Sequence, residues 1–425
     1  MRRYDSYKDS GVAWIGEVPE HWDISRLALA FIENRKLNLD LAITEAYQFN
    51  YGQLVPKKRE YKEEEDADTY AKYTVLQPND IVINGLNLNY DFVSQRVAIA
   101  SHEGIITSAY VCLRPRVNIC SQYFCYLFKA MDSMKLFHGM GTGIRLTLSY
   151  SELKKRLIPF PPLSEQQQIV EFLNEKIANI DAYIQEKKQE ISALEELKQV
   201  KIAFAVTHGI NSDIQMKDSG VAWIGEVPEH WDISRLALAF IENRKLNLDL
   251  AITEAYQFNY GQLVPKKREY KEEEDADTYA KYTVLQPNDI VINGLNLNYD
   301  FVSQRVAIAS HEGIITSAYV CLRPRVNICS QYFCYLFKAM DSMKLFHGMG
   351  TGIRLTLSYS ELKKRLIPFP PLSEQQQIVE YIQQKTAQID KYISDVKRQI
   401  DSLKEYRQRL ICDAVTGRIN VQPKL

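Results

Sequence analysis

The chain has 425 residues, 46% hydrophobic and 25% charged, with a net charge of −1, the balance of an ordinary folded protein. No stretch approaches the roughly 18 consecutive apolar residues of a membrane span. The opening "MRRYDSYKDS" lacks the apolar core of an export signal, so a cytoplasmic protein is expected. Seven cysteines form no C-x-x-C pair and are expected as reduced, packed thiols. Seven scattered histidines show no H-x-x-x-H spacing, so no metal site is expected.

One feature dominates the organisation. Lys8–Glu171 recurs letter for letter as Lys217–Glu380, 164 residues at a constant offset of 209. A unit of that length can bury its own core, so each copy reads as a domain rather than a stacked repeat.

Each copy opens with "DSGVAWIGEVPEHW", whose two tryptophans are expected to pack inside, and continues with "RLALAFIENRKL", which has helical spacing. "EYKEEEDAD" (Glu60–Asp68) reads as a solvated acidic turn. It helps give each copy 20 acidic against 18 basic residues, so any nucleic-acid face must segregate its cations. From Ala46 to Arg116, "YTVLQPNDIVING", "RVAIAS" and "ITSAYVCLRPR" are short β-branched runs between turn formers, the texture of strands. "SQYFCYLFKAMDSMKLFHG" returns to helical spacing, with Gly139 as its expected stop.

Pro161 and Pro162 close the copy, and Ser164 with Gln167 resembles a capping box that starts a helix. Beyond it Leu173, Ile177, Ile180, Ile184, Ile191 and Leu194 step by threes and fours, with Lys187 in the one missing slot. After the second copy Ile382, Thr386, Ile389, Ile393, Val396, Ile400 and Leu403 keep the same period with different letters, a coiled-coil signature. Both rods end alike, in "AVTHGIN" and "AVTGRIN", with Gly209 and Gly417 suited to helix termination. The expected order is a head over 1–162, a spacer helix over 163–208, a second head over 209–371, and a C-terminal helix and tail over 372–425. The class is α+β: mixed α/β heads alternating with long helices.

The head–rod alternation, the "IGEVPEHW" opening, the "GTGIR…IPFPPLSEQ" junction present twice and the "AVTG" helix end resemble the specificity (S) subunit of Type I restriction-modification enzymes over essentially the whole chain. The resemblance implies two target recognition domains, each reading half of a split site in double-stranded DNA, on rods paired as an antiparallel coiled coil. It implies partners as well: two methyltransferase (M) subunits and motor-nuclease restriction (R) subunits. S-adenosylmethionine is then expected on the methyltransferase, and ATP and Mg on the restriction subunit.

The residues themselves point away from chemistry in this chain. No Asn/Asp/Ser-Pro-Pro-aromatic loop holds a flipped base, no G-x-G-x-x-G follows a strand, and "GTGIRLT" lacks the lysine of a phosphate-binding loop. No cofactor is expected here.

Base reading needs paired donors and acceptors on loops. "INGLNLNYDFVSQR" offers Asn84, Asn87, Asn89, Tyr90, Gln95 and Arg96, repeated as Asn293, Asn296, Asn298, Tyr299, Gln304 and Arg305. The other reading of these asparagines is that they shape a turn. "FNYGQLVPKKR" adds Tyr51, Gln53, Lys57 and Lys58, and Tyr260, Gln262, Lys266 and Lys267, the lysines read as phosphate contacts. "GMGTGIR" adds Thr142 and Arg145, and Thr351 and Arg354. Lys154, Lys155 and Arg156 read as a solvated helix face. Family members usually carry two unlike heads. Two identical heads predict an interrupted palindrome as the target. The alternative, a free-standing repressor or architectural protein, sits poorly with the near-neutral charge.

Overall fold

A computed structural model describes residues 2–90, 95–144, 146–299, 304–353 and 355–422. The chain forms two compact units, residues 1–187 with 398–425, and residues 188–397. Each unit holds one head, the opening part of the long helix that follows it, and the closing part of the other long helix. The fold is α+β, as the sequence predicts.

In the first head a four-stranded antiparallel sheet runs in the spatial order Phe31–Glu33, Val111–Pro115, Ile81–Ile83, Val97–Ile99. Two-stranded pairs surround it: Tyr7–Asp9 with Glu17–Pro19, Asp23–Arg26 with Leu157–Phe160, Tyr47–Asn50 with Gln53–Pro56, and Thr74–Leu76 with Gly104–Ile106. Ile81, Val82 and Ile83 are all buried, so this central strand has no solvent face and reads as a continuous β-branched run. Helix Ser121–Ser133 supplies Phe124 and Phe128 at i, i+4, which close on Phe31 at ring-centroid distances of 5.2 and 5.8 Å. Trp22 is fully buried, while Trp14 is half-buried.

Local pattern and structure part at four places. "RLALAFIENRKL" makes one helical turn, Leu27–Ala30, and then the strand Phe31–Glu33. Sheet pairing to Leu113–Pro115 and burial of Phe31 override the helical spacing there. The acidic run is a helix, Glu63–Tyr70, rather than a turn. Four acids in its first turn complement the helix dipole, and Asp66 accepts the Lys62 amide at 2.9 Å. Helix Ser121–Ser133 stops six residues before Gly139, in a Schellman motif with Lys135 at φ 59°. There Leu136 N donates to Met131 O at 3.0 Å and Lys135 N to Asp132 O at 2.9 Å, and Phe137 turns into the core. Finally, the central rod begins at Leu163, so Ser164 lies inside its first turn rather than at the cap.

The residues that secure that turn are Glu165 and Gln166. Glu165 accepts from Trp22 Nε1 at 2.8 Å and meets His21 Nε2 at 2.5 Å. Gln166 accepts the amide of Cys120, the cap of helix Ser121–Ser133, at 2.9 Å and donates to Pro161 O at 2.8 Å. Rod and head are thereby fastened through buried polar groups.

The central rod runs Leu163–His208 and the C-terminal rod Leu372–Val415. In the first unit Trp22 meets the first turn of one rod through Glu165 and, at Gly417, the chain just past the end of the other, so the two run antiparallel. Tyr123, fully buried, donates to Val415 O at 2.8 Å, and Arg407 pairs with Asp181 at 2.5 Å. In the second unit Trp231 meets Glu374 and Gly209, and Tyr332 donates to Val206 O at 2.8 Å. Glu190 there accepts from Tyr392 at 2.8 Å and Lys198 pairs with Asp390 at 2.7 Å, numbers rising on one rod as they fall on the other. Leu173, Ile180, Ile184, Ile382, Ile393, Val396 and Ile400 of the heptad are buried; Ile177, Ile191, Leu194, Thr386, Ile389 and Leu403 are half-buried. Lys187 sits with its ammonium 5.3 Å over the Tyr183 ring. No helix among the described residues is long and apolar enough to cross a membrane.

Candidate nucleic-acid interface

Three loops of each head meet in one platform. The asparagine-rich loop leaves the central strand Ile81–Ile83 at Asn84, whose Oδ1 accepts the Leu86 amide at 3.2 Å in an Asx turn. Asn87 follows at φ 52°, then one 3-10 turn over Leu88–Tyr90. Arg96 ties this loop from within. Its Nη1 donates to the carbonyls of Asn84 (3.0 Å) and Leu86 (2.7 Å), and its Nη2 to that of Asn87 (3.3 Å). Arg305 does the same for Asn293, Leu295 and Asn296 at 3.0, 2.6 and 3.2 Å.

The second loop is a miniature hairpin in which Thr142 and Thr147 exchange backbone bonds of 3.1 and 2.9 Å around Gly143 at φ 80°. Its C-terminal arm is sewn to the first loop twice: Leu88 N donates to Leu146 O at 3.0 Å, and Leu148 N to Gly85 O at 2.9 Å. Position 85 must be glycine for this contact, because a Cβ there would lie 2.8 Å from Leu148 Cβ. The third loop is the turn between strands Tyr47–Asn50 and Gln53–Pro56. Tyr51 and Gly52, at φ 42° and 76°, give the mirror-image turn that suits strand twist, and Gly52 faces Gln95 and Val97.

The platform therefore gathers Tyr51, Gln53, Asn84, Asn87, Asn89, Tyr90, Gln95, Arg96 and Thr142. Their counterparts Tyr260, Gln262, Asn293, Asn296, Asn298, Gln304, Arg305 and Thr351 stand in the second head on the same elements. Tyr51 and Tyr90 are 74% and 68% exposed, so both rings stand out as stacking surfaces. Asn87, Asn89, Gln95 and Thr142 are exposed, Asn84 and Arg96 half-buried. Asn84 thus does what the turn reading expects, while Asn87 and Asn89 present their amides outward.

The lysines part ways. Lys57 Nζ donates to Tyr73 OH at 3.1 Å over the rings of Tyr70 and Tyr73, and Lys266 repeats this with Tyr282, whereas Lys58 and Lys267 are exposed. Lys155 is bound to Glu152 at 2.8 Å and holds that carboxyl below its ordinary range, in keeping with a solvated face. Arg145, Arg354 and the Tyr299 side chain lie outside the described residues. Sequence reasoning passed over Ile144 and Ile353, each 98% exposed at a hairpin tip; an apolar letter between a glycine and an arginine was the available sign. Among the described residues no group of three or more His, Cys, Asp or Glu is placed to hold a metal.

The family model for the Type I restriction modification DNA specificity domain matches twice, over residues 57–193 and 265–400. The chain belongs to that family. Its relatives include the MjaVIII specificity subunit of Methanocaldococcus jannaschii, 24% identical with 95% of this chain and 94% of the relative covered. The EcoBI specificity subunit of Escherichia coli is 23% identical, with 65% and 61% covered. Solved structures agree on the fold. The HsdS subunit of Thermoanaerobacter tengcongensis superposes with TM-score 0.53 at 18% identity, covering 95% of this chain and 98% of that one. A structure from work on assembly and conformational transition of a type I R-M system gives TM-score 0.66 at 16% identity, with 94% and 98% covered. This specificity subunit is accordingly a non-catalytic member of its enzyme system.

Proposed function

We propose that this subunit reads an interrupted palindrome in double-stranded DNA and carries two methyltransferase subunits, with restriction subunits joining the complex. One observation carries the reading: two letter-for-letter identical heads present the same three-loop platform. Identical platforms select identical half-sites, and antiparallel rods, seen within each unit, suit readers of opposite polarity on the duplex. Exposed amides of Asn87, Asn89 and Gln95 suit adenine edges, exposed tyrosines suit stacking, and Lys58 suits phosphate. S-adenosylmethionine would sit on the methyltransferase, and ATP and Mg on the restriction subunit; this chain supplies the address.

Methylation mapping in cells that express this chain with its methyltransferase tests the reading. One modified motif is expected, with reverse-complement halves about one helical turn apart or somewhat more. Two unlike half-sites would refute the palindrome. Absence of any chain-dependent modified motif would refute the recognition role.

A further inference from the structure

Among the described residues Ile144 and Ile353 are the most exposed large apolar side chains, each 98% open to solvent, and both occupy the tip of the Thr142–Thr147 type of hairpin. Loop tips are ordinarily polar, and a β-branched residue has little freedom at χ1 to turn away from water. The backbone beneath gives it no retreat. Thr142 and Thr147 are cross-bonded, Leu146 O and Leu148 N are both held by the asparagine-rich loop, and Leu148 is buried against Gly85. Gly141 adds to this close packing, since a Cβ there would stand 2.9 Å from Leu146 Cβ and 3.0 Å from Leu88 Cδ1. The tip is thus an apolar point on a hydrogen-bonded, closely packed mount.

Its surroundings suit a duplex. From Gly139 to Ser151 the sequence contains no aspartate or glutamate, so nothing on the hairpin repels phosphate. The two hydrogen bonds on its C-terminal arm tie it to the loop carrying Asn87 and Asn89, so the point and the amides approach a ligand together. Isoleucine is among the side chains that proteins push between base steps, where the cost of unstacking is offset by apolar burial and by the extra surface a kink brings into contact.

We propose that Ile144 and Ile353 are wedges that enter the base stack, each unstacking one step of its half-site and setting the register in which the neighbouring amides meet base edges. This rests on the recognition role proposed above.

The test uses the full chain assembled with its methyltransferase subunits, and a duplex carrying the mapped target. Ile144→Ala with Ile353→Ala is compared with Ile144→Leu with Ile353→Leu. The alanine pair is expected to weaken specific binding by roughly tenfold or more, from the apolar burial lost at two sites. The slope of affinity against salt stays unchanged, since no phosphate contact is removed. The leucine pair retains most of the affinity.

Single mismatches scanned through each half-site give a readout that a structural role would not move. A mismatch loosens its step in advance, so the unaltered complex gains affinity when the mismatch falls at the wedged step, once in each half. The alanine pair loses that gain but keeps any gain at a base that the methyltransferase flips out. An alanine pair with unchanged affinity and unchanged mismatch profile overturns the wedge and leaves the recognition role standing. A defect confined to subunit assembly, with normal DNA affinity once assembled, assigns the tip to a protein contact and also overturns it. Failure of the unaltered complex to select any site sinks both readings.

Discussion

Trp22 Nε1 donates to Glu165 Oε2 at 2.8 Å, joining the loop that opens the head to the first turn of the rod. His21 and Tyr4 also reach this carboxylate, which is 9% exposed, and burial together with Glu165 pushes the Tyr4 phenol above its ordinary pKa, keeping it protonated. The second unit keeps His230 and Trp231 on Glu374, but position 213 is aspartate where the first unit has Tyr4, and Glu374 is 29% exposed. Glu165→Ala should therefore cost about 2–3 kcal/mol, through the donors it strands, and Glu374→Ala about 1 kcal/mol. Urea unfolding of the two variants measures the difference; equal losses would show that the tyrosine and the deeper burial count for nothing.

The rod ends invite a second comparison between units. Gly417 and Gly209 both take positive φ, 74° and 78°. A Cβ on Gly417 would stand 2.4 Å from Pro19 Cδ and 3.0 Å from Trp22, whereas one on Gly209 would stand 3.3 Å from Trp231 and 3.5 Å from Pro228. Gly209→Ala is expected to cost about 1 kcal/mol, mainly from backbone conformation. Gly417→Ala adds an overpacking cost of about 1–3 kcal/mol, since the proline ring cannot swing aside. Thermal melts of both variants check the ranking, and a Gly209 variant as unstable as the Gly417 variant would contradict it.

Thiol chemistry offers a third. Burial, with Asp80 adding to it, pushes the Cys112 thiol up to about 12, and Asp289 plays that part for Cys321. Both remain neutral in the folded chain where unfolded thiols ionise near 9. A raised folded value means the contribution is intact below pH 9 and falls as pH climbs toward 12. Iodoacetamide at pH 8.5 should label the half-buried Cys120 and Cys329 before Cys112 and Cys321, read by mass spectrometry of peptides. Cys112→Ala with Cys321→Ala should flatten the alkaline loss of stability.

Long-range order was legible in the letters, and local detail less so. The repeat, the heptads and the terminal glycines all survive into the structure because each depends on a pattern many residues long or on a conformation glycine alone adopts cheaply. Phe31 misled because its partners, Phe124 and Pro115, lie more than 80 residues away, and helical spacing cannot see a strand partner. Lys135 misled because it occupies a left-handed position where glycine is the usual sign, so Gly139 drew the boundary instead. In "LSEQ" the serine looked like the cap, yet Glu165 and Gln166 make the bonds, to groups that the sequence places 143 and 46 residues away. The platform was half legible: its asparagines stood out by type, but the stitching of Leu88 to Leu146 and Leu148 to Gly85 exists only in three dimensions.

That stitching separates two asparagines that look equivalent in sequence. Asn84 spends its Oδ1 on the Leu86 amide and lends its carbonyl to Arg96, so it belongs partly to the scaffold. Asn89 is exposed on the 3-10 turn beside Tyr90. Asn89→Ala with Asn298→Ala should lower the ratio of specific to non-specific affinity by about 1–3 kcal/mol per head, if each amide grips a base edge in bidentate fashion, and leave the melting temperature unmoved. Asn84→Ala with Asn293→Ala should relax site choice too, but with a measurable drop in melting temperature, because the Asx turn loses its acceptor. Competition binding on target and scrambled duplexes, paired with calorimetry, distinguishes them. An Asn89 pair that melts early, or an Asn84 pair that melts normally, would mean the division between scaffold and reader is drawn in the wrong place.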